Sequence, residues 1–238
     1  MSKWLKLCGI CNMRKSNAKL IKLGSGISIP CEQDFRQHGA LPEVQDQGHI
    51  PTCWAFRPLA AVEPAYQIIT GKLLKFSEKE IVNHYWSATN KCEKCLMRKI
   101  GYYSELTFEH LIRKGKFSLA DDYPYKTALR QCKRVDARKF VDPLVRGYIQ
   151  VSNDEVALQI AVATQPVTVA LEIDEVYNNY KAEVYFYIRN FCERRVSKKR
   201  YRYHHAVCVV GYGILRNKEY WLIRENRGLR WNKIGHVN

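Results

Sequence analysis

The sequence is short of acidic residues and of methionine, and it has no long apolar run. Only 23 of its 238 residues are Asp or Glu, against 39 Lys or Arg, a formal net charge of +16. That balance permits nucleic acid, an anionic membrane surface or an acidic protein as partner, and it selects none of them. No stretch approaches 18 apolar residues, so no membrane span is expected. Glycine (13) and proline (8) show no triplet period, which excludes collagen-like and low-complexity architecture. The opening Met1-Ser2-Lys3-Trp4-Leu5-Lys6-Leu7-Cys8 has a basic residue but no apolar core of signal length. No secretory signal is read there. A reducing, cytoplasmic setting is the default expectation, and disulfides are not assumed.

What the sequence does contain describes a folded chain. Apolar residues make up 46% and aromatics 12%, with 15 Tyr and 5 Trp, too many for a mainly disordered protein. The length suits one large domain or two small halves sharing a cleft. The cysteines are Cys8, Cys11, Cys31, Cys53, Cys92, Cys95, Cys132, Cys192 and Cys208. Their number is odd, so at least one thiol stays unpaired within a monomer, the expected state. Two Cys-x-x-C pairs occur, Cys8/Cys11 and Cys92/Cys95, far apart and with only His84 near the second. A zinc site needs convergent ligands, so neither metal nor cofactor is expected. A dense basic patch, Arg194, Arg195, Lys198, Lys199, Arg200 and Arg202, interleaves with tyrosine. No nucleic-acid motif accompanies it, and it reads as a solvated loop.

The chain changes texture near residue 120. Residues 1–28 form a basic arm, and residues 30–52 are loop-like. Cys53 to Thr70 is apolar at helical spacing and closes on Gly71. Pro58 and Pro64 lie inside that stretch, so a kinked or shortened helix is expected. Ser77-Glu78-Lys79-Glu80 has the form of a capping box opening a second helix. Ser104 to Lys114 reads as a third, closed by Gly115, and Asn153 to Ala163 as a short fourth. Strands are expected at Pro166–Leu171, Ala206–Tyr212 and Tyr220–Arg224. Helices first and strands later imply an α+β fold of two lobes with a groove between them.

Cys53 follows a Gly/Pro loop and opens the apolar helix. Free N–H groups and partial positive charge at a helix N-terminus favour thiolate over thiol. A thiolate that is to expel an amine needs a proton-transfer partner. His205, 152 residues later (205 − 53), opens the apolar strand Ala206–Tyr212. A Cys on a helix of one lobe can meet a His on a strand of the other across the groove.

The wording around these two residues adds a family. Gln47-Gly48-His49-Ile50-Pro51-Thr52-Cys53-Trp54-Ala55-Phe56, with Asp34-Phe35-Arg36-Gln37-His38-Gly39-Ala40-Leu41-Pro42-Glu43-Val44 before it, resembles the nucleophile segment of papain-like cysteine peptidases. His205-Ala206-Val207-Cys208-Val209-Val210-Gly211-Tyr212-Gly213 resembles that family's histidine segment. Tyr220-Trp221-Leu222-Ile223-Arg224, then Gly228, Trp231 and Gly235, resembles the segment after it. The resemblance spans roughly residues 29 to 238. It implies a papain-like fold, with a helical lobe over about 45–125 and a barrel-like strand lobe over about 126–238 plus 29–44. It implies a cysteine-type endopeptidase acting on peptides or proteins, with Cys53 as nucleophile, His205 as its acid–base partner and Gln47 as oxyanion donor. Ala170 and Tyr203 would line the pocket for the residue before the scissile bond. Members of the family are usually lysosomal, vacuolar or secreted.

The sequence departs from the family in several places. The third catalytic position, Asn in an Asn-Ser-Trp-Gly motif, is Glu225 here, with Asn226 next and Arg227 at the tryptophan. A carboxylate can fix the histidine's tautomer as Asp does in other triads, and it raises the histidine's pKa. Asn226 takes that place only if the strand slips by one, and Arg227 could pair with Glu225. The substrate-backbone segment Gly-Cys-x-Gly-Gly reads Lys91-Cys92-Glu93-Lys94-Cys95, so Lys94 and Cys95 replace its glycines and by resemblance would intrude on the groove. By resemblance the chain keeps one half of each of three disulfides: Cys92 faces Ile50, Cys132 faces His84, and the partner of Cys192 falls past Asn238. The 28 residues before Ile29 are expected to be too few for a helical propeptide, and the C-terminal end is expected to be shortened. These changes leave a second reading, a papain-fold module that binds peptides or proteins without cleaving them.

Overall fold

In the computed structural model, residues 19–20, 29–88, 103–127, 140–173, 177, 179, 203–229, 231 and 236–237 are described. Lys94, Cys95, the 194–202 patch, both Cys-x-x-C pairs, Cys132 and Cys192 lie outside them. Tyr203 is described in its backbone alone.

The elements run β1 (Lys19–Leu20), β2 (Gln33–Asp34), α1 (Cys53–Thr70), α2 (Glu78–Ala88), α3 (Ser104–Lys114), β3 (Ile149–Gln150), α4 (Glu155–Thr164), β4 (Val167–Ile173), β5 (Tyr203–Leu215), β6 (Lys218–Arg224) and β7 (His236–Val237). The helices come first and the long strands last, the α+β order expected. A five-stranded antiparallel sheet is centred on β5, which pairs with β2, β4 and β6, while β6 also pairs with β7. Among the described residues no helix is long and apolar enough to cross a membrane.

Helix α1 is the keel of the fold. One face packs Trp54, Ala55, Leu59 and Val62 against Phe76, Ile81, Val82, Leu111 and Phe117 of the helical lobe. Its other face sets Ala60 and Ala61 against Cys208, Val210 and Leu222 of the sheet. Strand β5 alternates accordingly, with Val207 and Val209 turned into a second core with Leu158, Val162 and Ile223. Gly211 sits at a bulge in the β5–β6 register. A Cβ there would lie 2.2 Å from the Gln33 carbonyl oxygen, so only glycine lets β2 close on β5.

The prolines do not shorten α1, which corrects the shortened alternative of the sequence expectation. The helix runs all 18 residues through Pro58 and Pro64. Pro58 cannot supply the N–H that would bond the Trp54 carbonyl. The Thr107 hydroxyl of α3 donates to that carbonyl instead, at 3.1 Å, which removes part of the cost. The helix ends at Gly71, left-handed at φ 72°, where a side chain would be strained.

The capping box at α2 is half formed. Glu80 N–H donates to Ser77 Oγ at 3.1 Å. The Glu80 carboxylate turns away to accept from Ser118 N–H at 2.8 Å and to pair with Lys114, while Ser77 N–H goes to the Ser118 carbonyl. At α4, Asp154 caps outright, its carboxylate accepting from Val156 and Ala157 N–H.

Candidate active site

The site forms where the start of α1 meets the start of β5 and the end of β6. The loop before α1 is held by three contacts. Thr52 Oγ1 shares a hydrogen bond with the Tyr125 hydroxyl at 2.9 Å, the Tyr125 hydroxyl donates to the Gln47 carbonyl at 3.0 Å, and Gly48 N–H donates to Asp46. Gln47 N–H then bonds the Asn226 carbonyl at 2.8 Å, and Gly228 N–H bonds the Gln45 carbonyl at 3.0 Å. This short pairing sets the loop carrying Gln47 directly against the segment carrying Glu225.

Cys53 begins α1 and is buried. The His205 ring and the Ala206 backbone N–H both act on its sulfur. Burial opposes ionisation of the thiol. The His205 hydrogen bond and charge, the Ala206 N–H and the Arg57 charge outweigh it, leaving the thiol below its ordinary pKa. Cys208 provides the contrast. It is equally buried, mainly by apolar neighbours, and burial pushes it up to about 12.

His205 Nε2 donates to Glu225 Oε2 at 2.9 Å, which leaves Nδ1 as the ring nitrogen for the Cys53 sulfur. Burial pulls the imidazole's pKa down and Arg57 adds to that pull. The Glu225 charge and the hydrogen bonds from Cys53 and Glu225 win, so the net shift is upward. Glu225 is itself fully buried. Burial disfavours its charge, but His205 and Arg57 hold its carboxyl far below the ordinary range.

Asn226 does not take the histidine. Its Nδ2 donates to Gln47 Oε1 at 2.5 Å, and its Oδ1 accepts from Arg57. Gln47 in turn donates from Nε2 to the Ile50 carbonyl at 3.1 Å. An amide nitrogen carries two hydrogens, so one remains. Arg227 lies over Tyr177 and Trp231, with Nε 3.9 Å from Glu225 Oε2.

Cys53, His205, Glu225 and Gln47 thus converge on one place. Ala170 is half-buried on β4 and pairs with Ala206, next to His205, while Tyr203 pairs with Ile173 at the far end of the same ladder. Two participants were not singled out from the sequence, Arg57 and Tyr177. Arg57 is 1% exposed and donates to Glu225 Oε2 at 2.9 Å, and the Tyr177 hydroxyl donates to Glu225 Oε1. A charge set between Phe56 and Pro58 in a mostly apolar helix was the available signal for Arg57. No pattern marks Tyr177.

Comparisons with known proteins agree with this arrangement. The papain family cysteine protease profile matches residues 29–238. The chain is 32% identical over 211 residues to a probable cysteine protease RDL4 of Arabidopsis thaliana, covering 88% of this chain and 53% of the relative. It is 33% identical over 216 residues to a probable cysteine protease RD21B of the same plant, covering 89% of this chain and 42% of the relative. The chain spans about half the length of the curated relatives it matches. Among solved structures, the bromelain protease from Ananas comosus in complex with the E64 inhibitor superposes with a TM-score of 0.69 at 29% identity, covering 88% of each chain. The sequence motifs, the two-lobed α+β architecture and the cysteine–histidine contact at the head of α1 share one explanation: the chain belongs to the papain family of cysteine proteases.

Proposed function

We propose that this chain is a cysteine-type endopeptidase whose catalytic unit spans residues 29–238 and whose substrates are peptides or proteins. One observation carries the reading: Cys53 opens α1 where His205 acts on its thiol, and His205 Nε2 is held by Glu225 at 2.9 Å. His205 takes the thiol proton, and the thiolate attacks the scissile carbonyl carbon. The carbonyl π electrons move to oxygen. That oxyanion is met by the second Gln47 Nε2 hydrogen and by the Cys53 backbone N–H, which is free at the helix start. The tetrahedral adduct then collapses. The C–N bond breaks, the His205 imidazolium gives its proton to the leaving amine, and a thioester remains. His205 next removes a proton from water, which attacks the thioester. The acid product leaves and Cys53 recovers its proton.

Glu225 fixes the His205 ring so that Nδ1 faces sulfur, the part Asp plays in serine enzymes. Lys94, Cys95, Ala170 and Tyr203 would line the substrate groove. The bromelain neighbour was solved with E64, so E64 is the probe of choice.

Wild type and Cys53→Ala are incubated with E64 and with a fluorogenic dipeptide. Labelling and turnover by wild type alone are expected. A protein folded by circular dichroism that neither binds E64 nor cleaves peptide would sink the endopeptidase reading in favour of a peptide-binding module.

A further inference from the structure

Arg57 lies one helical turn beyond Cys53, on the same face of α1. It is buried, and four groups surround its guanidinium. One terminal nitrogen donates to the Arg224 carbonyl. The other donates to Glu225 Oε2 at 2.9 Å and to Asn226 Oδ1, and stands 3.5 Å from His205 Nε2. Its Nε–H has no partner. Glu225 Oε2 therefore accepts from both His205 and Arg57, while Oε1 accepts from Tyr177.

Where the family carries a neutral Asn, this chain carries a carboxylate. A single buried carboxylate beside an imidazolium would hold that proton tightly and leave His205 a poor acid for the departing amine. A second cation on the same oxygen divides the carboxylate's charge between two partners. It also fixes the side chain by a second hydrogen bond, and through Asn226 it reaches the amide of Gln47.

We propose that Arg57 is a positioning residue of this site: it neutralises Glu225 and clamps Glu225 and Asn226, so that His205 and Gln47 are presented to the Cys53 sulfur with the histidine still able to release its proton. The inference rests on the endopeptidase reading for its rate effects, and on the Cys53–His205 pair alone for its effect on the thiol. The charged or titratable groups facing His205 are Cys53 and Arg57 from α1 and Glu225 beyond β6, with Arg227 and Tyr177 against Glu225 in turn. Of these, Arg57 lowers the pKa of both Cys53 and His205. Its removal therefore moves both limbs of an activity–pH profile upward.

The experiment compares wild type, Arg57→Gln, Arg57→Lys and the uncharged double variant Arg57→Gln/Glu225→Gln. It measures kcat and KM against pH with a fluorogenic dipeptide. In parallel it follows the pH dependence of iodoacetamide alkylation at Cys53 by peptide mass spectrometry. Arg57→Gln is expected to lower kcat about ten- to hundredfold with little change in KM, and to shift both limbs and the alkylation curve to higher pH. Arg57→Lys restores the limbs toward wild type. The double variant, which buries no unpaired charge, recovers much of the lost kcat and of the melting temperature.

A merely structural Arg57 would lower the folded, active fraction with the limbs unmoved, and that result overturns the proposal. An Arg57→Gln protein that does not fold leaves the test to the double variant, whose kcat more than about a hundredfold below wild type would also overturn it. The alkylation curve needs no turnover. If wild type cleaves nothing but the curve moves as stated, the endopeptidase reading fails while the positioning role stands.

Discussion

The Thr107 hydroxyl donates across 3.1 Å to the Trp54 carbonyl, the acceptor that Pro58 leaves without an N–H. Thr107 is fully buried, so Thr107→Val would bury that carbonyl unpaired, at a cost of about 1–3 kcal/mol. Pro58→Ala restores the backbone bond, and it should recover more stability in the Thr107→Val background than in wild type. Urea unfolding of the four proteins measures this coupling. Additive effects would show that the hydroxyl is not the proline's substitute.

The Asn226 Nδ2 contact orients the Gln47 amide by its oxygen. Loss of an oxyanion donor typically costs about 100- to 1000-fold in kcat, and Gln47→Ala is expected to fall in that range. Asn226→Ala should lower kcat less, about tenfold, because the Ile50 carbonyl still holds Gln47. The double variant should be no slower than Gln47→Ala. A multiplicative loss would separate the two residues.

His110 lies against His84, the ring centroids 4.2 Å apart and the planes tilted by 39°, with Arg113 beside both. Burial, and then the His84 and Arg113 charges, pull its pKa down to about 4. The unfolded chain, with a histidine near 6.5, binds this proton more readily than the folded one. The stability His110 permits is therefore complete above pH 6.5 and is lost as pH falls toward 4, by about 2–3 kcal/mol. Denaturant melts of wild type and His110→Asn from pH 7 to 4 should converge as pH falls. Parallel curves would count against the shift.

Cys53 and Cys208 should differ in reactivity despite equal burial. His205 helps hold the first below its ordinary pKa, and burial pushes the second up to about 12. In native protein at neutral pH, iodoacetamide should modify Cys53 and leave Cys208 untouched until denaturant is added. Mass spectrometry of the two peptides reads the ratio, and early modification of native Cys208 would contradict it.

Much of the fold could be read from the residues themselves. Apolar spacing marked Cys53 to Thr70, Gly71 and Gly115 marked helix ends, and β-branched runs marked β4, β5 and β6, because period and end chemistry are local properties. The fate of Pro58 was not local. It depended on a hydroxyl from a helix whose sequence says nothing of its target. The site divided in the same way. Cys53, His205 and Gln47 carry motif wording around them, and Glu225 followed from an ungapped count. Arg57 and Tyr177 gain meaning only when β6 closes on α1, since each contact joins residues far apart in sequence. The half-formed capping box shows a third cause: Glu80 found a better partner in Ser118 than the one its motif offers.

The bond from Arg57 to Glu225 and the pairing of Cys53 with His205 each join residues some 150 or more apart in sequence. Contacts of that separation close late, after the loop entropy between them has been met. The low-pKa state of Cys53 therefore comes into being only when both lobes have assembled and docked. During refolding, the gain of fast alkylation at this one sulfur serves as a clock for the last step of tertiary assembly, trailing the recovery of helix content.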